Sequence, residues 1–433
     1  MLKTLKNAFK VKEIRSKILF TLGVLIVYRL GAQITVPGVN AGALTKLGST
    51  GLIPLLDTVS GGGLANYSIF SMGVSPFITA QIVVQLLQMD IDIVPKFVEW
   101  SKQGEVGRRK LNQVTRYLTI ILAFIQSIGI TAGFNSLSQM GLVKDPGIKT
   151  FVSIGIILTG GTMLITWLGE QITDKGLGNG VSMIIFAGII ARLPSGLYQI
   201  FREQVLNASK GDMWKGVLFI IGLIIAVLVI VTFVTWVQQA NRKIPIQYTR
   251  REAGAGENSY LPLKVNVAGV IPVIFASSFI MTPQTILMAF QSGHGADTWF
   301  KVLSDIFSMQ TVTGSIVYTV LIVLFTFFYA FVQVNPEKVA ENLTKQGSYI
   351  PGVWPGKGTE KYLSSVLMRL STVGALFLGV IALLPQLAAN LGGLPQSIGL
   401  GGTSLLIVVG VALESTRQLE GLLMKRKYVG FIR

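Results

Sequence analysis

The sequence predicts an all-α, polytopic membrane protein with ten transmembrane helices arranged as two halves of five. Hydrophobic residues make up 51% of the 433 positions, and charged residues make up only 13%. Soluble domains carry roughly 25% charged residues, so about half of the usual charge is missing. The mean hydropathy is +0.61. These values exclude a soluble enzyme, a disordered chain and a coiled coil, and they favour a chain surrounded by lipid.

Ten apolar stretches approach the length of about 20 residues that a helix needs to cross a bilayer. The stretch at 216–237 is the most apolar, whereas the fifth and tenth are short. The predicted spans are 18–36, 67–88, 115–135, 150–169, 180–195, 216–237, 266–291, 312–332, 365–386 and 399–414.

The basic residues are distributed unevenly between the loops that these spans define. An even number of spans places both termini on one side, and the loops of that side hold 27 of the 37 Lys and Arg residues. The opposite loops hold 8. Because cytoplasmic loops collect Lys and Arg, we expect both termini in the cytoplasm. The basic start and the lack of a cleavage site predict a retained first span instead of a cleaved signal peptide.

A short repeat indicates that the two halves are related. Gly73–Ile78 and Gly269–Ile274 both read Gly-Val-x-Pro-x-Ile, and each opens the second span of its half. Two halves with five spans each must face opposite ways, which is the inverted-topology duplication of many transporters. A proline removes a backbone hydrogen bond inside a helix, so Pro76 and Pro272 predict kinked helices at the centre. An ordinary structural kink is the alternative.

Several kinds of site are excluded or disfavoured. The chain has no cysteine and one histidine, so we expect no metal or thiol site and no cofactor. No Asp or Glu lies well inside a predicted span, which argues against a proton-coupled transporter, although a secondary transporter of a small solute stays the alternative. The sequence contains no phosphate-binding loop, so the chain is not expected to be an enzyme and energy must come from partners.

The spans carry bulky aliphatic residues where a transporter would carry charges. A ring of such residues makes a dry constriction that blocks ions, and large basic loops favour a macromolecule-conducting pore. Composition alone cannot choose the ring members, because Ile and Val are common in every span. The glycine-rich segment at about 51–66 either re-enters the bundle or lies on its surface.

Motifs along the whole chain resemble those of one family. The stretches concerned are Gly73–Ala80, Gln85–Leu87, Gly104–Gln113, Thr115–Tyr117, Gly176–Gly180, Ile185–Ile189, Arg242–Tyr248, Leu261–Asn266, Ala268–Ser278, Asn335–Asn342 and Gly401–Ile407. Together and in this order, they make the chain resemble the SecY/Sec61α family of protein-conducting channels, in its bacterial form.

The resemblance implies a passive pore in the bacterial plasma membrane, which passes unfolded secretory polypeptides and releases transmembrane segments sideways into lipid. It implies a clam-shell with an N-terminal half at 1–195, a hinge loop at 196–215, a C-terminal half at 216–414 and a cytoplasmic tail at 415–433. The lateral gate would lie between spans two and three on one side and spans seven and eight on the other. Signal sequences and unfolded preproteins would enter there.

The resemblance also assigns residues by motif position. The pore ring would be Val74, Ile78, Val181, Ile185, Ile274 and Ile407. The plug would be Asp57, Thr58, Val59, Ser60, Gly61, Gly62, Gly63, Leu64 and Ala65. The polar cluster of the lateral gate would be Gln85, Gln126 and Asn266.

The cytoplasmic loops at 238–265 and 333–364 would receive the SecA motor ATPase or the rRNA phosphates of the ribosome, while SecE and SecG would complete a heterotrimer. The docking residues would be Arg242, Lys243, Arg250, Arg251, Lys338, Lys345, Trp354 and Lys357. The positive-inside rule alone would also place basic residues there. Trp354 stands where the family has arginine, and tryptophan lacks the planar fork of donors that arginine offers.

Overall fold

The computed structural model describes residues 9–40, 63–64, 66–88, 95–137, 142–143, 145–202, 213–248, 260–294, 297–309, 311–392 and 402–429. The chain is predominantly helical. The helices are α1 (Lys12–Gly31), α2 (Ser75–Leu87), α3 (Pro95–Lys102), α4 (Glu105–Leu137), α5 (Ile148–Lys175), α6 (Gly180–Phe201), α7 (Met213–Gln239), α8 (Ile271–His294), α9 (Thr298–Phe307), α10 (Val312–Gln333), α11 (Pro336–Lys345), α12 (Lys357–Gly392) and α13 (Gly402–Val429). The strands are β1 (Asn241–Pro245), β2 (Gln247–Tyr248), β3 (Tyr260–Lys264) and β4 (Ser348–Tyr349).

A helix lies at each of the ten predicted span positions. Within the described residues, 7 helices are long and apolar enough to cross a membrane by length and composition: α4, α5, α6, α7, α8, α10 and α12. The other three positions are occupied by α2, which has 13 residues, and by α1 and α13, which carry charged residues near their ends. The protein is therefore a multi-pass, all-α membrane protein, and the count of ten spans stays a prediction.

Several helices extend past the predicted ends of their spans, because helical hydrogen bonding continues beyond the apolar stretch. Helix α6 extends to Phe201, beyond the predicted end of the N-terminal half at 195, so the first residues of the predicted hinge loop are helical. Helix α13 extends to Val429, through most of the predicted tail. Helix α12 begins at Lys357, inside the predicted cytoplasmic loop. Hydropathy locates the hydrocarbon depth but not the polar turns that prolong a helix at either end.

The prolines of the repeat begin helices and do not kink them. Pro76 lies in the first turn of α2, and Pro272 is the second residue of α8. The first turn of a helix tolerates proline because its N–H would have no intrahelical partner. The glycine that precedes each helix has a positive φ, 55° at Gly73 and 65° at Gly269. Both halves therefore use the same device, a left-handed glycine and then proline, to start the second helix.

Two buried apolar clusters lie along the bundle. The larger one occupies the centre, where α2, α6, α8 and α13 meet, and it continues onto α1, α5, α7, α10 and α12. The smaller one joins the C-terminal end of α4 and the N-terminal end of α5 to Leu64, Tyr67 and Met72 and to Met281 and Met288 of α8. The residues predicted to form the pore ring therefore lie at or against a densely packed apolar cluster.

The two loops that were predicted to be cytoplasmic pack together as one folded unit. Strands β1 and β3 pair as an antiparallel hairpin, and β2 pairs with β4, which joins the loop before α8 to the loop before α12. A third apolar cluster, including Ile244, Leu263 and Ile350, lies beneath these strands. The side chain of Asn335 caps α11 by accepting hydrogen bonds from the N–H groups of Glu337 and Lys338. Both segments were predicted to be loops, so the paired strands within them are a further difference from the prediction.

Candidate functional site

The six predicted ring residues converge from four helices. Val74 and Ile78 come from the start of α2, Val181 and Ile185 from α6, Ile274 from α8 and Ile407 from α13. Five of them are at most 8% exposed and belong to the central cluster, and Val181 is half-buried against it. The repeat explains part of the arrangement, since Ile78 and Ile274 occupy matching positions after the paired glycine and proline.

A cavity of about 360 Å³ lies against this ring. Its apolar wall includes four ring residues, Ile78, Val181, Ile185 and Ile274. Its other wall is polar and charged, with Gln85, Asn112, Arg116, Glu170, Asp174 and Asn179 among the lining residues. Gln85, Glu170 and Asp174 lie in the last two turns of their helices, and Asn112 and Arg116 lie in the first half of α4, toward the predicted cytoplasmic side. The cavity therefore has an apolar wall formed by part of the ring and a polar wall toward that side.

An ion pair lies in the polar wall of this cavity. Arg116 of α4 donates to Glu170 of α5 through Nε at 3.2 Å and through Nη2 at 2.5 Å. Both side chains are partly exposed, so the pair stabilises the fold by only about 0–1 kcal/mol. Its main effect is to fix the spacing of two helices of the N-terminal half beside the cavity.

A hydrogen-bonded network joins three helices at the side of the ring. Gln126 of α4 donates through Nε2 to the Thr282 hydroxyl of α8 at 2.8 Å. The Thr79 hydroxyl of α2 lies 3.2 Å from the same oxygen. This is where the predicted lateral gate would part, because α2 and α4 belong to the N-terminal half and α8 to the C-terminal half. Thr79 and Thr282 were not predicted, since threonine in an apolar span carries no signal of its own.

Of the three polar residues predicted for the gate, only Gln126 takes part in this network. Within the described part of the chain, no hydrogen bond joins Gln85 or Asn266 to it. Gln85 lines the cavity, and its buried Oε1 has no hydrogen-bond partner. Asn266 donates through Nδ2 to the carbonyl oxygen of Gly269 at 2.9 Å, which closes the turn before α8. The residue therefore positions the glycine of the repeat.

The predicted plug lies mostly outside the described residues. Asp57, Thr58, Val59, Ser60, Gly61, Gly62 and Ala65 are not described, and Gly63 and Leu64 are. Leu64 is buried in the second apolar cluster beside Tyr67. The carbonyl oxygen of Gly63 accepts a hydrogen bond from the N–H of Ser68 at 3.0 Å. The end of the segment is thus anchored in the bundle.

The predicted docking residues lie on the folded unit formed by the two loops, except Arg250 and Arg251, which fall outside the described residues. Arg242 and Lys243 are exposed on β1, Lys338 and Lys345 on α11, and Lys357 at the start of α12. Lys243 lies over the ring of Tyr260, with Nζ 4.7 Å from the centroid. Lys345 pairs with Glu341 at 2.7 Å. Trp354 is 86% exposed between β4 and α12.

One basic residue of this region, Lys264, holds its proton less firmly than an ordinary lysine. Burial lowers the pKa of Lys264 in β3; the nearby Arg417 lowers it further, and Glu414 partly offsets both. Arg417 itself donates to the carbonyl oxygen of Gln238 at 3.2 Å, which fastens α13 to the end of α7. The described residues contain no group of three or more His, Cys, Asp or Glu side chains that could hold a metal ion.

Comparisons with known proteins agree on one family. The family model described as SecY matches residues 68–416. The "Protein translocase subunit SecY 1" of Lactobacillus kefiranofaciens subsp. kefiranofaciens is 70% identical over 433 residues and covers 100% of both chains. The "Protein translocase subunit SecY" of Bacillus subtilis (strain 168) is 52% identical over 437 residues, again with 100% of both chains covered.

Solved structures share the fold. One, described as "The structure of a protein conducting channel", matches with a TM-score of 0.65 and 19% identity over 94% of this chain and 91% of that one. Another, described as "Sec61 in the Canine ribosome-channel complex from the endoplasmic reticulum", matches with a TM-score of 0.61 and 18% identity over the same shares, 94% and 91%.

Proposed function

The chain belongs to the SecY family, and we propose that it is the channel subunit of a bacterial protein translocase. In this role it is a passive pore that passes unfolded secretory polypeptides across the plasma membrane. One observation carries the proposal: six aliphatic side chains from four helices, drawn from both halves, meet at one central apolar cluster, and four of them line a cavity whose other wall is polar and charged. No relative described above is named as a transporter of small solutes, so that alternative is not pursued.

The ring suits a substrate without a fixed sequence. Aliphatic side chains offer no hydrogen bonds, so they contact a passing chain weakly and without selecting particular residues. The same side chains make a dry constriction, which opposes ion leakage while the pore is at rest. The segment at about 51–66 serves as the plug, and its described end at Leu64 is buried in the bundle.

The network of Thr79, Gln126 and Thr282 marks the lateral gate. Two helices of one half are held to a helix of the other by two hydroxyl groups and one amide. Such a contact has two states, closed through these bonds or open around a bound apolar helix. A signal sequence shifts the equilibrium to the open state because it binds that state better. Transmembrane segments of nascent proteins leave for the lipid by the same route.

The folded cytoplasmic unit receives the partner that supplies energy. Its exposed Arg242, Lys243, Lys338 and Lys357 form a basic surface that suits rRNA phosphates of a ribosome or acidic groups of the SecA motor. A structural neighbour is described in a ribosome–channel complex, which supports the ribosome as one partner. SecE and SecG complete the heterotrimer. Both termini lie in the cytoplasm, as the charge of the loops predicts.

Reconstitution tests the proposal. The chain is inserted into vesicles with SecE and SecG, and a preprotein is added with SecA and ATP. We expect the preprotein to become protected from external protease only when all components and ATP are present. An absence of protection, with SecA shown to be bound to the vesicles, would refute the proposed function.

A further inference from the structure

Two glycines of α4 bring its backbone into direct contact with α8. A Cβ atom placed on Gly129 would lie 2.7 Å from the carbonyl oxygen of Thr285, and one on Gly133 would lie 2.5 Å from Cβ of Met288. Carbon atoms in good contact are about 3.5–4.0 Å apart, so neither position has room for a side chain. The atoms opposed to both glycines are backbone or Cβ atoms, which cannot move aside by changing a rotamer.

These contacts continue the hydrogen-bonded network along the same two helices. Gln126 meets Thr282 one turn before Gly129 meets Thr285, and Gly133 meets Met288 one turn later. Membrane helices that carry small residues four positions apart pack closely because their backbones can approach one another. The seam between α4 and α8 is therefore closed by one polar contact and two glycine contacts in succession.

Three other glycines of the bundle differ from this pair. Gly160 of α5 and Gly222 of α7 have nothing within 4 Å of a Cβ position. Gly155 of α5 faces Phe124 and Ile128 of α4, so it packs within the N-terminal half. Gly129 and Gly133 hold a helix of one half against a helix of the other, at the place where the halves would separate.

We propose that Gly129 and Gly133 determine the specificity of the lateral gate, by setting how apolar a helical segment must be to part α4 from α8. This inference rests on the proposed function. A segment that enters the seam must replace the glycine contacts with its own contacts to both helices, so a tight closed seam rejects segments that bind weakly. A ligand moves a two-state equilibrium only by its difference in affinity for the two states. Loosening the seam therefore lowers the required hydrophobicity.

The test compares two preproteins that share one mature part. The first carries a strongly apolar signal sequence, and the second carries the same sequence with two leucines replaced by serine. The measured quantity is the ratio of their transport rates into reconstituted vesicles, weak over strong. We expect Gly129→Ala and Gly133→Ala each to raise this ratio by about fivefold, the factor that a small change in free energy produces. Gly160→Ala and Gly222→Ala are the matched controls and should leave it unchanged.

A compensating substitution distinguishes a specific effect on the seam between α4 and α8 from general damage to the protein. Met288→Gly removes the whole Met288 side chain, including the Cβ atom that faces Gly133, so combining it with Gly133→Ala relieves the closest contact that the new Cβ atom would make. We expect the double variant to return the ratio toward that of the unmodified chain, whereas two unrelated defects would add. If Gly133→Ala does not accumulate in membranes, the double variant and Gly129→Ala decide the matter.

The outcomes distinguish the two proposals. Failure of the unmodified chain to transport the strongly apolar preprotein would count against the proposed function itself. Normal transport of that preprotein with an unchanged ratio in Gly129→Ala and Gly133→Ala would overturn the proposed role of the two glycines. The proposed function would still stand. A lower ratio in Gly129→Ala and Gly133→Ala would overturn the proposed role of the two glycines as well.

Discussion

Replacing Thr282 with valine should favour opening between α4 and α8 while preserving the shape of the side chain. The Thr282 hydroxyl donates to the carbonyl oxygen of Ser278 in its own helix at 3.0 Å. Its oxygen accepts from Gln126 Nε2 at 2.8 Å and lies 3.2 Å from the Thr79 hydroxyl. Valine cannot accept a hydrogen bond, so the substitution removes the polar atom that α2 and α4 share with α8.

The expected magnitude follows from the number of bonds lost. Hydrogen bonds between membrane helices contribute about 0.6 kcal/mol on average, and up to about 1.7 kcal/mol. Two such bonds give about 1 kcal/mol, which changes the ratio of closed to open gate by about fivefold. The transport rate of a preprotein with a weakly apolar signal sequence should rise by up to this factor. Transport with a strongly apolar signal should change little.

A double-mutant cycle isolates the bond from other effects. Gln126→Leu removes the donor of the same hydrogen bond, so the effects of Gln126→Leu and Thr282→Val should not add. Thr232→Val is the matched control, because among the described residues the exposed Thr232 of α7 bonds only to the Leu228 carbonyl of its own helix. Fully additive effects, or slower transport of the weak-signal preprotein by Thr282→Val, would refute this account of the gate.

Three further predictions concern other parts of the molecule. Ile274→Asn should wet the ring and raise the resting conductance of planar bilayers several-fold, whereas an unchanged conductance would contradict a dry constriction. Trp354→Arg should raise SecA-driven transport, and equal rates would show that the position does not limit coupling. Gly161→Ala should lower stability in detergent by about 1–3 kcal/mol because its Cβ would strike the Ile69 carbonyl oxygen. Gly160→Ala, with open space, should not alter thermal unfolding.

The sequence predicted the fold class and family because both depend on features repeated along the whole chain. Apolar stretches recur along the whole chain, and basic residues are concentrated in alternate loops between them. An error at one boundary therefore does not alter the conclusion. The paired Gly-Val-x-Pro-x-Ile motifs predicted a relation between α2 and α8, and both copies adopt the same conformation. The role assigned to the prolines was wrong, because periodicity does not distinguish the first turn of a helix from its interior.

The lateral contacts were predicted less well, since they depend on which helices become neighbours. Gln126 is conspicuous in an apolar span, but its partners Thr79 and Thr282 are far away in sequence and weakly polar. The spacing of Gly129 and Gly133 is a recognisable signal for close helix packing. Nothing in the chain by itself shows that α8 is the helix packed against them.

The central claim is that a translocating polypeptide passes through the ring, and site-specific crosslinking tests it most directly. The chain contains no cysteine, so one can be introduced at Ile274 and, in a second variant, at Leu228, which is 60% exposed on α7. A secretory chain with one cysteine at its midpoint is then arrested during transport with SecA and ATP. We predict a crosslink at 274 and none at 228. Crosslinking at 228 and not at 274, with transport intact, would contradict the account.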